Sequence, residues 1–312
     1  MNSGFRQLWK CRVIVGSTPY NYPTILTIRI TPFRTAAAFY LPKIKRCELV
    51  TAACALVAGM AMAQVQSANI VGYQQITLTQ QYTILGINFT AVDGSDLSIQ
   101  DAVPYVEGMT KAAVVNNADQ IQVQNAAGTY DTYFMSNGYN AKGNAVAGLD
   151  GKWSAGGKAA VSTATLAPGT AFWFIRKDAT SPITINIAGG VSMIASNSKG
   201  IDGNYKLIAN PYPTDLPLND GIPYVAGMTK AAVVNNADQI QIQNAAGTYD
   251  TYFMSNGYNA KGNAVAGLDG KWSQGGKAAV TTAAIPAGAG AWFVRKGSTD
   301  FNITIARPFT IE

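Results

Sequence analysis

Gln120-Ile121-Gln122-Val123-Gln124 alternates polar and apolar residues over five positions. A period of two is the signature of a β-strand with one wet face, so Ile121 and Val123 are expected to point inward. Asn125-Ala126-Ala127-Gly128 supplies turn chemistry, and Tyr130–Met135 is the predicted return strand of a hairpin. Phe172-Trp173-Phe174-Ile175 is apolar on both faces and predicts a central strand, while Ile183-Thr184-Ile185-Asn186-Ile187 alternates again. Upstream, 69–78 and 82–89 predict two further strands. The second has a counterpart at 205–212, and each places Asn where the strand gives way to a turn. Ser98-Ile99-Gln100-Asp101 resembles a capping box, predicting a short helix near 98–103. Between the hairpin and a brief strand at Lys152-Trp153-Ser154, the Gly-, Asn- and Ala-rich stretch 136–151 reads as a long loop, which in a compact domain is either functional or mobile.

This pattern occurs twice. Residues 104–160 recur at 223–279, 119 positions later, with three differences in 57: Glu107/Ala226, Val123/Ile242 and Ala155/Gln274. A period of that length is a domain per repeat rather than a turn of a solenoid. The copies diverge sharply from about Ser162 to Ile187, keeping scattered positions around Trp173/Trp292 and Arg176-Lys177/Arg295-Lys296. The expected fold class is therefore all-β, two tandem homologous β-sandwich-like modules at 64–187 and 188–312.

Charge changes what the N-terminus means. The chain has 23 basic and 17 acidic residues, but eight of the basic ones and only Glu48 among the acids precede residue 64. The remaining 15 basic and 16 acidic groups nearly cancel, so the repeats lack the basic stripe that phosphate contacts need and nucleic acid is not an expected partner. Lys43-Ile44-Lys45-Arg46, the apolar run 49–60 and Ala61-Met62-Ala63 form the three parts of a signal peptide at 41–63, with cleavage expected between Ala63 and Gln64. The apolar run is shorter than the ~20 residues a spanning helix needs, so the mature chain is expected to have no membrane span and to be secreted or held at the cell surface. Residues 1–40 hold no acidic residue and no sustained period, and no Met falls between Met1 and Met60. They read as an unstructured or mis-called extension, with translation starting near Leu41.

All three cysteines (Cys11, Cys47, Cys54) lie before Gln64, and the chain has no histidine. Zinc sites and catalytic triads built on those side chains are excluded from the repeats. No cofactor is expected. Asp93-Gly94-Ser95-Asp96, Asp150-Gly151 and Asp269-Gly270 are oxygen-rich turns, yet Ca²⁺ takes six to eight oxygens and Asp-Gly is foremost a turn. An enzyme would have to work with Asp, Lys, Tyr or Ser; Asp131 with Asp150, repeated as Asp250 with Asp269, could in principle pair as acid and base, and an enzyme ranks third among the functions considered. The more suggestive set is aromatic: Tyr130, Tyr133, Tyr139 and Trp153, mirrored by Tyr249, Tyr252, Tyr258 and Trp272. Such rings either fill a sandwich core or form platforms on which sugar rings stack. Tyr133 and Phe134 alternate, so at most one of them faces the core.

From Ser67 onward the chain resembles a family of uncharacterised secreted bacterial β-rich repeat proteins. The resemblance rests on Ala68-Asn69-Ile70-Val71-Gly72-Tyr73, on Ile208-Ala209-Asn210-Pro211, on Trp153, and on Pro168-Gly169-Thr170-Ala171-Phe172-Trp173-Phe174. The second copy departs from it at Pro286-Ala287-Gly288. It implies secretion and a β fold and brings no catalytic residues. The function expected from the sequence is an extracellular structural or adhesive cell-surface protein, since a tandem of near-identical units multiplies a weak contact. A carbohydrate-binding protein is the alternative. The expected partners are cell-surface or extracellular polysaccharide, or further copies of the chain through exposed edge strands.

Overall fold

The computed structural model describes residues 13–14, 25–26, 70–156, 158–275 and 277–310. The chain divides into two compact units, Met1–Gln66 and Ser67–Glu312. In the first, β1 (Val13–Ile14) pairs antiparallel with β2 (Ile25–Leu26). The predicted signal peptide at 41–63, its cleavage site and the rest of the 1–40 extension lie outside the described residues.

The second unit is all-β. Its first half runs β3 (Val71–Leu78), β4 (Tyr82–Gly86), β5 (Phe89–Thr90), β6 (Leu97–Ser98), helix α1 (Ile99–Ala102) and a 3-10 turn at Val115–Asn117. It continues with β7 (Gln120–Gln124), β8 (Tyr130–Tyr139), β9 (Ala145–Ala155), β10 (Thr165–Leu166), β11 (Ala171–Ile175) and β12 (Ile183–Val191). The second half runs β13 (Ser196–Ile201), β14 (Tyr205–Ala209), β15 (Leu216–Pro217), helix α2 (Leu218–Gly221), a 3-10 turn at Val234–Asn236, β16 (Gln239–Gln243), β17 (Tyr249–Met254), β18 (Trp272–Gln274), β19 (Ala284–Ile285), β20 (Gly290–Val294) and β21 (Phe301–Ala306). Strand β12 runs past the expected boundary at 187 as far as Val191.

The halves share a topology. Five antiparallel strands are ordered β4-β11-β7-β8-β9 in one and β14-β20-β16-β17-β18 in the other. In the first half a three-stranded sheet, β3-β12-β5, lies over the five-stranded one. Phe172 and Phe174 of β11, Ile121 of β7, Met135 of β8 and Trp153 of β9 bury one apolar face against Ile183, Ile185 and Ile187 of β12. The second half builds a separate cluster from Phe293, Ile240, Met254 and Trp272 against Ile303 and Ile305. Helix α1 forms where the capping box placed it: Ser98 Oγ accepts from Asp101 N at 3.2 Å.

The modules are not strung as separate beads; they form one compact unit. Strand β11 is apolar on both faces because both are covered. Phe172 and Phe174 face the first core, and Trp173 faces the second half, its ring 6.2 Å from that of Trp292. Ile84, Ala171, Leu207 and Ala209 form a third buried cluster there, with Tyr130, Trp173, Tyr249 and Trp292 packed on it. Hydrogen bonds across this contact come in matched pairs. Gln124 donates to Tyr205 O at 3.1 Å and accepts from Leu207 N at 3.0 Å. Its counterpart Gln243 donates to Tyr82 O at 2.8 Å and accepts from Ile84 N at 3.2 Å. Each glutamine amide thus pairs with an edge strand of the other half as a neighbouring strand's backbone would. The backbones also approach closely: Gly86 N donates to Gly288 O at 2.9 Å. A Cβ built on Gly86 would lie 2.5 Å from Ala209 Cβ, and one built on Gly290 would lie 2.5 Å from Ile84 Cγ2 and 3.1 Å from Ala171 Cβ. Both distances demand glycine there. The edges β4 and β14, two of the edges through which copies were expected to polymerise, therefore cover each other.

Candidate functional site

The stretch 136–151 is not a free loop. Strands β8 and β9 continue as one long hairpin through it, with Asn137 opposite Asp150 and Tyr139 opposite Ala145. Two register shifts interrupt the ladder. Gly138, Gly143, Gly148 and Gly151 have φ of 83°, 80°, 74° and 66°, the left-handed region that only glycine enters at no steric cost. Their counterparts Gly257, Gly262, Gly267 and Gly270 repeat these angles at 84°, 81°, 74° and 67°. The ladder itself is shorter in the second half, where β17 ends at Met254, β18 begins at Trp272 and only the bridge Tyr258–Ala264 spans the stretch between. At the tip Asn140 Oδ1 accepts from Lys142 N and Asn144 N, both at 3.0 Å, and closes the turn. Asn259 does the same in the second half.

Each tip folds over a groove. In the first half Val115 of the 3-10 turn and Val114 just before it form one wall, Asn140, Lys142 and Asn144 the second, and Lys158 the third, with Phe134 beneath. Its volume is about 480 Å³. Val233, Val234, Asn259, Lys261, Asn263, Lys277 and Phe253 build the same groove in the second half, joined by Tyr258, at about 520 Å³. Both volumes lie in the range of small-ligand sites. The lysine wall is pinned from inside: Ser154, fully buried, donates Oγ to Lys158 O at 2.8 Å, and Ser273 does likewise to Lys277 O. The three positions that differ between the repeats are absent from both linings.

Lys142, Lys158, Lys261 and Lys277 are exposed and take part in no ion pair among the described residues. Asp131 lines a shallow depression adjoining Lys158, but its carboxylate accepts from Asn125 Nδ2 at 3.2 Å. Of the repeats' other cations, Lys152 and Lys271 are exposed outside the grooves, while Lys111 is paired with Asp150 at 2.9 Å and lies over the Tyr105 ring, and Lys230, Asp269 and Tyr224 reproduce this. Both pairs stand in solvent, where such contacts contribute between 0 and about 1 kcal/mol. The Lys111 and Lys230 ammonium groups are held above their usual range chiefly by the hydrogen bond to the carboxylate.

The eight aromatics singled out from the sequence go to three places. Trp153 and Trp272 are fully buried core residues, each indole donating to a backbone carbonyl (Val103 O at 2.5 Å, Ile222 O at 2.6 Å). Tyr133 packs on the first core and Tyr252 is buried in the second. Burial pushes both phenols upward, as it does Tyr130 and Tyr249 in the contact between halves. Only Tyr139 and Tyr258 stand in solvent, each 48% exposed beside the hairpin tips. The eight rings do not form one ligand face, because alternation along β8 sends successive side chains to opposite sides. Phe134, the neighbour of Tyr133, is buried beneath the groove instead.

The carboxylates separate as well. Asp150 lies opposite Asn137, six residues along β8 from Asp131. At about 3.3 Å per residue the two are roughly 20 Å apart, against about 5–9.5 Å between the carboxylates of a glycosidase. Asp93 forms a local turn, accepting from Ser95 N at 2.9 Å, and those bonds to Ser95 lower its pKa. No cluster of three or more potential metal-ligating side chains occurs among the described residues. Nothing in the hydrophobic pattern marked the groove lysines or the docking glutamines; the available signal was cationic residues in a stretch with few acids.

Comparison with protein families, with curated proteins and with solved structures finds no match.

Proposed function

We propose that this chain is a secreted, non-catalytic adhesive protein that presents two copies of one binding surface in a fixed mutual arrangement. One observation carries the proposal: two grooves with matching linings sit in halves locked together by a buried, paired contact. Two tethered sites convert a second binding event into an intramolecular one, so a repetitive surface is held more tightly than either groove alone holds it. The signal peptide at 41–63 delivers the chain to where such a surface is found.

Carbohydrate binding through loop aromatics is the second reading. Tyr139 and Tyr258, exposed at the two hairpin tips, are what favours it. It differs from the first in placing the affinity in two rings rather than in the whole groove.

Fractionation of a producing culture tests the proposal. The chain is expected on the cell surface with Gln64 as its first residue. A Lys142→Gln, Lys158→Gln, Lys261→Gln, Lys277→Gln variant is expected to be exported folded and released into the medium. Retention in the cytoplasm, or surface retention unchanged in that variant, refutes it. Tyr139→Ala with Tyr258→Ala separates the second reading: release equal to that of the lysine variant would favour it.

A further inference from the structure

The inventory of hydrogen-bonding groups in the grooves is lopsided. Each presents two lysine ammonium groups, three donors apiece, and no carboxylate. The Asn140 carboxamide oxygen is already spent on two backbone N–H groups of its own turn, and Asn259 is spent likewise, leaving the amide NH₂ as the outward group. Asn144 and Asn263 contribute the remaining side-chain amides. A groove rich in donors and poor in acceptors suits a ligand that brings acceptors and negative charge. Neutral sugar hydroxyls, which donate as readily as they accept, leave both ammonium groups without a counter-charge. The apolar wall of Val114 and Val115, with a tyrosine at the tip, suits the carbon face of a sugar ring. Beyond residue 63 the acids slightly outnumber the bases, so no net cationic charge draws anions there; other exposed lysines such as Lys152, Lys177, Lys271 and Lys296 lie outside the grooves, and what sets Lys142, Lys158, Lys261 and Lys277 apart is that they converge in pairs on one opening.

We infer that each groove binds an acidic saccharide, with a carboxylate or sulfate between Lys142 and Lys158 in one half and between Lys261 and Lys277 in the other, so that one chain grips an anionic polysaccharide at two points. This rests on the adhesive reading of the grooves and names its ligand class.

Titration calorimetry on the full chain tests it with four probes: a short oligogalacturonate, its methyl ester, a sulfated dextran fragment and duplex DNA. The acid oligomer is expected to bind with two equivalents per chain and the ester at least tenfold more weakly, the loss of about one charge-assisted contact per groove. Lys142→Gln with Lys158→Gln is expected to leave one equivalent, and the fourfold variant none, with an unchanged melting temperature because these side chains are exposed. Comparison of the oligogalacturonate and sulfated arms assigns the anion as carboxylate or sulfate. For a long polygalacturonate, emptying one groove should cost far more than half the apparent affinity. Equal binding of acid and ester overturns the acidic class while leaving the adhesive reading intact. So does an absence of binding to both anions in a chain whose surface retention still depends on the four lysines. DNA binding as tight as that of the saccharides overturns it as mere ion exchange. Binding and surface retention both indifferent to the four lysines overturn the adhesive reading with it.

Discussion

Replacing Trp153 by Ala separates a core from a ligand platform. Trp153 is fully buried, its ring lies edge-on to Phe174 at 6.0 Å, and its indole nitrogen donates to Val103 O at 2.5 Å. Truncation removes the largest buried side chain of the first core and leaves a cavity, which costs about 3–5 kcal/mol. The Val103 carbonyl also loses its donor, which pushes the cost toward the upper end. At about 2–4 °C per kcal/mol for a unit of this size, the melting temperature should fall by roughly 6–20 °C. Trp153→Phe keeps most of the apolar contact but abandons Val103 O, for about 1–3 kcal/mol. Tyr139→Ala, at a half-exposed position, should stay within about 0.5 kcal/mol. Urea unfolding followed by far-UV circular dichroism on the three variants is the assay. Under conditions where Trp153→Ala is still folded, its oligogalacturonate stoichiometry should be that of the parent chain. A Trp153→Ala protein as stable as the parent, or one that stays folded and loses a ligand equivalent, would falsify the assignment of this indole to the core.

Gln243→Ala removes the groups that satisfy Ile84 N and Tyr82 O, for about 1–2 kcal/mol, and hydrogen exchange at the Ile84 amide should accelerate while that at Ile121 does not; equal rates at Ile84 would dismiss the glutamine's docking role. Gly86→Ala places a Cβ 2.5 Å from Ala209 Cβ and 2.8 Å from Ala289 O, so a cost of about 1–3 kcal/mol and faster proteolysis between the halves are expected, whereas Gly203→Ala, with open space around it, should be neutral; the reverse order would contradict the close approach. Asp119 and Asp238 are held above the usual carboxylate range, chiefly by burial, although backbone N–H groups (Lys177 and Thr110 for Asp119, Lys296 and Thr229 for Asp238) pull the other way. A raised folded pKa means the fold holds the proton more tightly than the unfolded chain, so these two groups favour the fold as pH falls from the raised value to the unfolded value of about 3.9. The stability difference between the parent and an Asp119→Asn, Asp238→Asn variant should therefore shrink as pH rises through that window; a difference that widens there would reverse the sign of the burial effect.

Local rules carried much of this fold. The alternation in 120–124 and 183–187, the capping box at Ser98 and the duplication all appear in the structure because each is set by neighbours in sequence. The hairpin through 136–151 was hidden by its glycines, which signal a loop by composition but here sit at register shifts inside a ladder. Gln124 looked like one of three solvent-facing residues on the wet side of β7, and alternation cannot tell water from the edge of another half. Trp153 and Tyr139 are indistinguishable as aromatic letters; only the tertiary path of β9 buries one, while the hairpin tip exposes the other. The groove lysines were illegible for the same reason, since Lys142 and Lys158 belong to separate turns that the fold brings to one opening.

Gly86 and Ala209 are equivalent positions of the two copies, as are Ala171 and Gly290, and the contact between halves sets each against its own equivalent. Two first halves meeting by this face would bring Ala171 against another Ala171, and two second halves Ala209 against another Ala209. Only unlike halves place a hydrogen opposite a methyl at both crossings. Two substitutions thus fit this face to the pairing of unlike halves. Like halves docked by this same face would set Cβ against Cβ where the contact between unlike halves sets a hydrogen against a methyl.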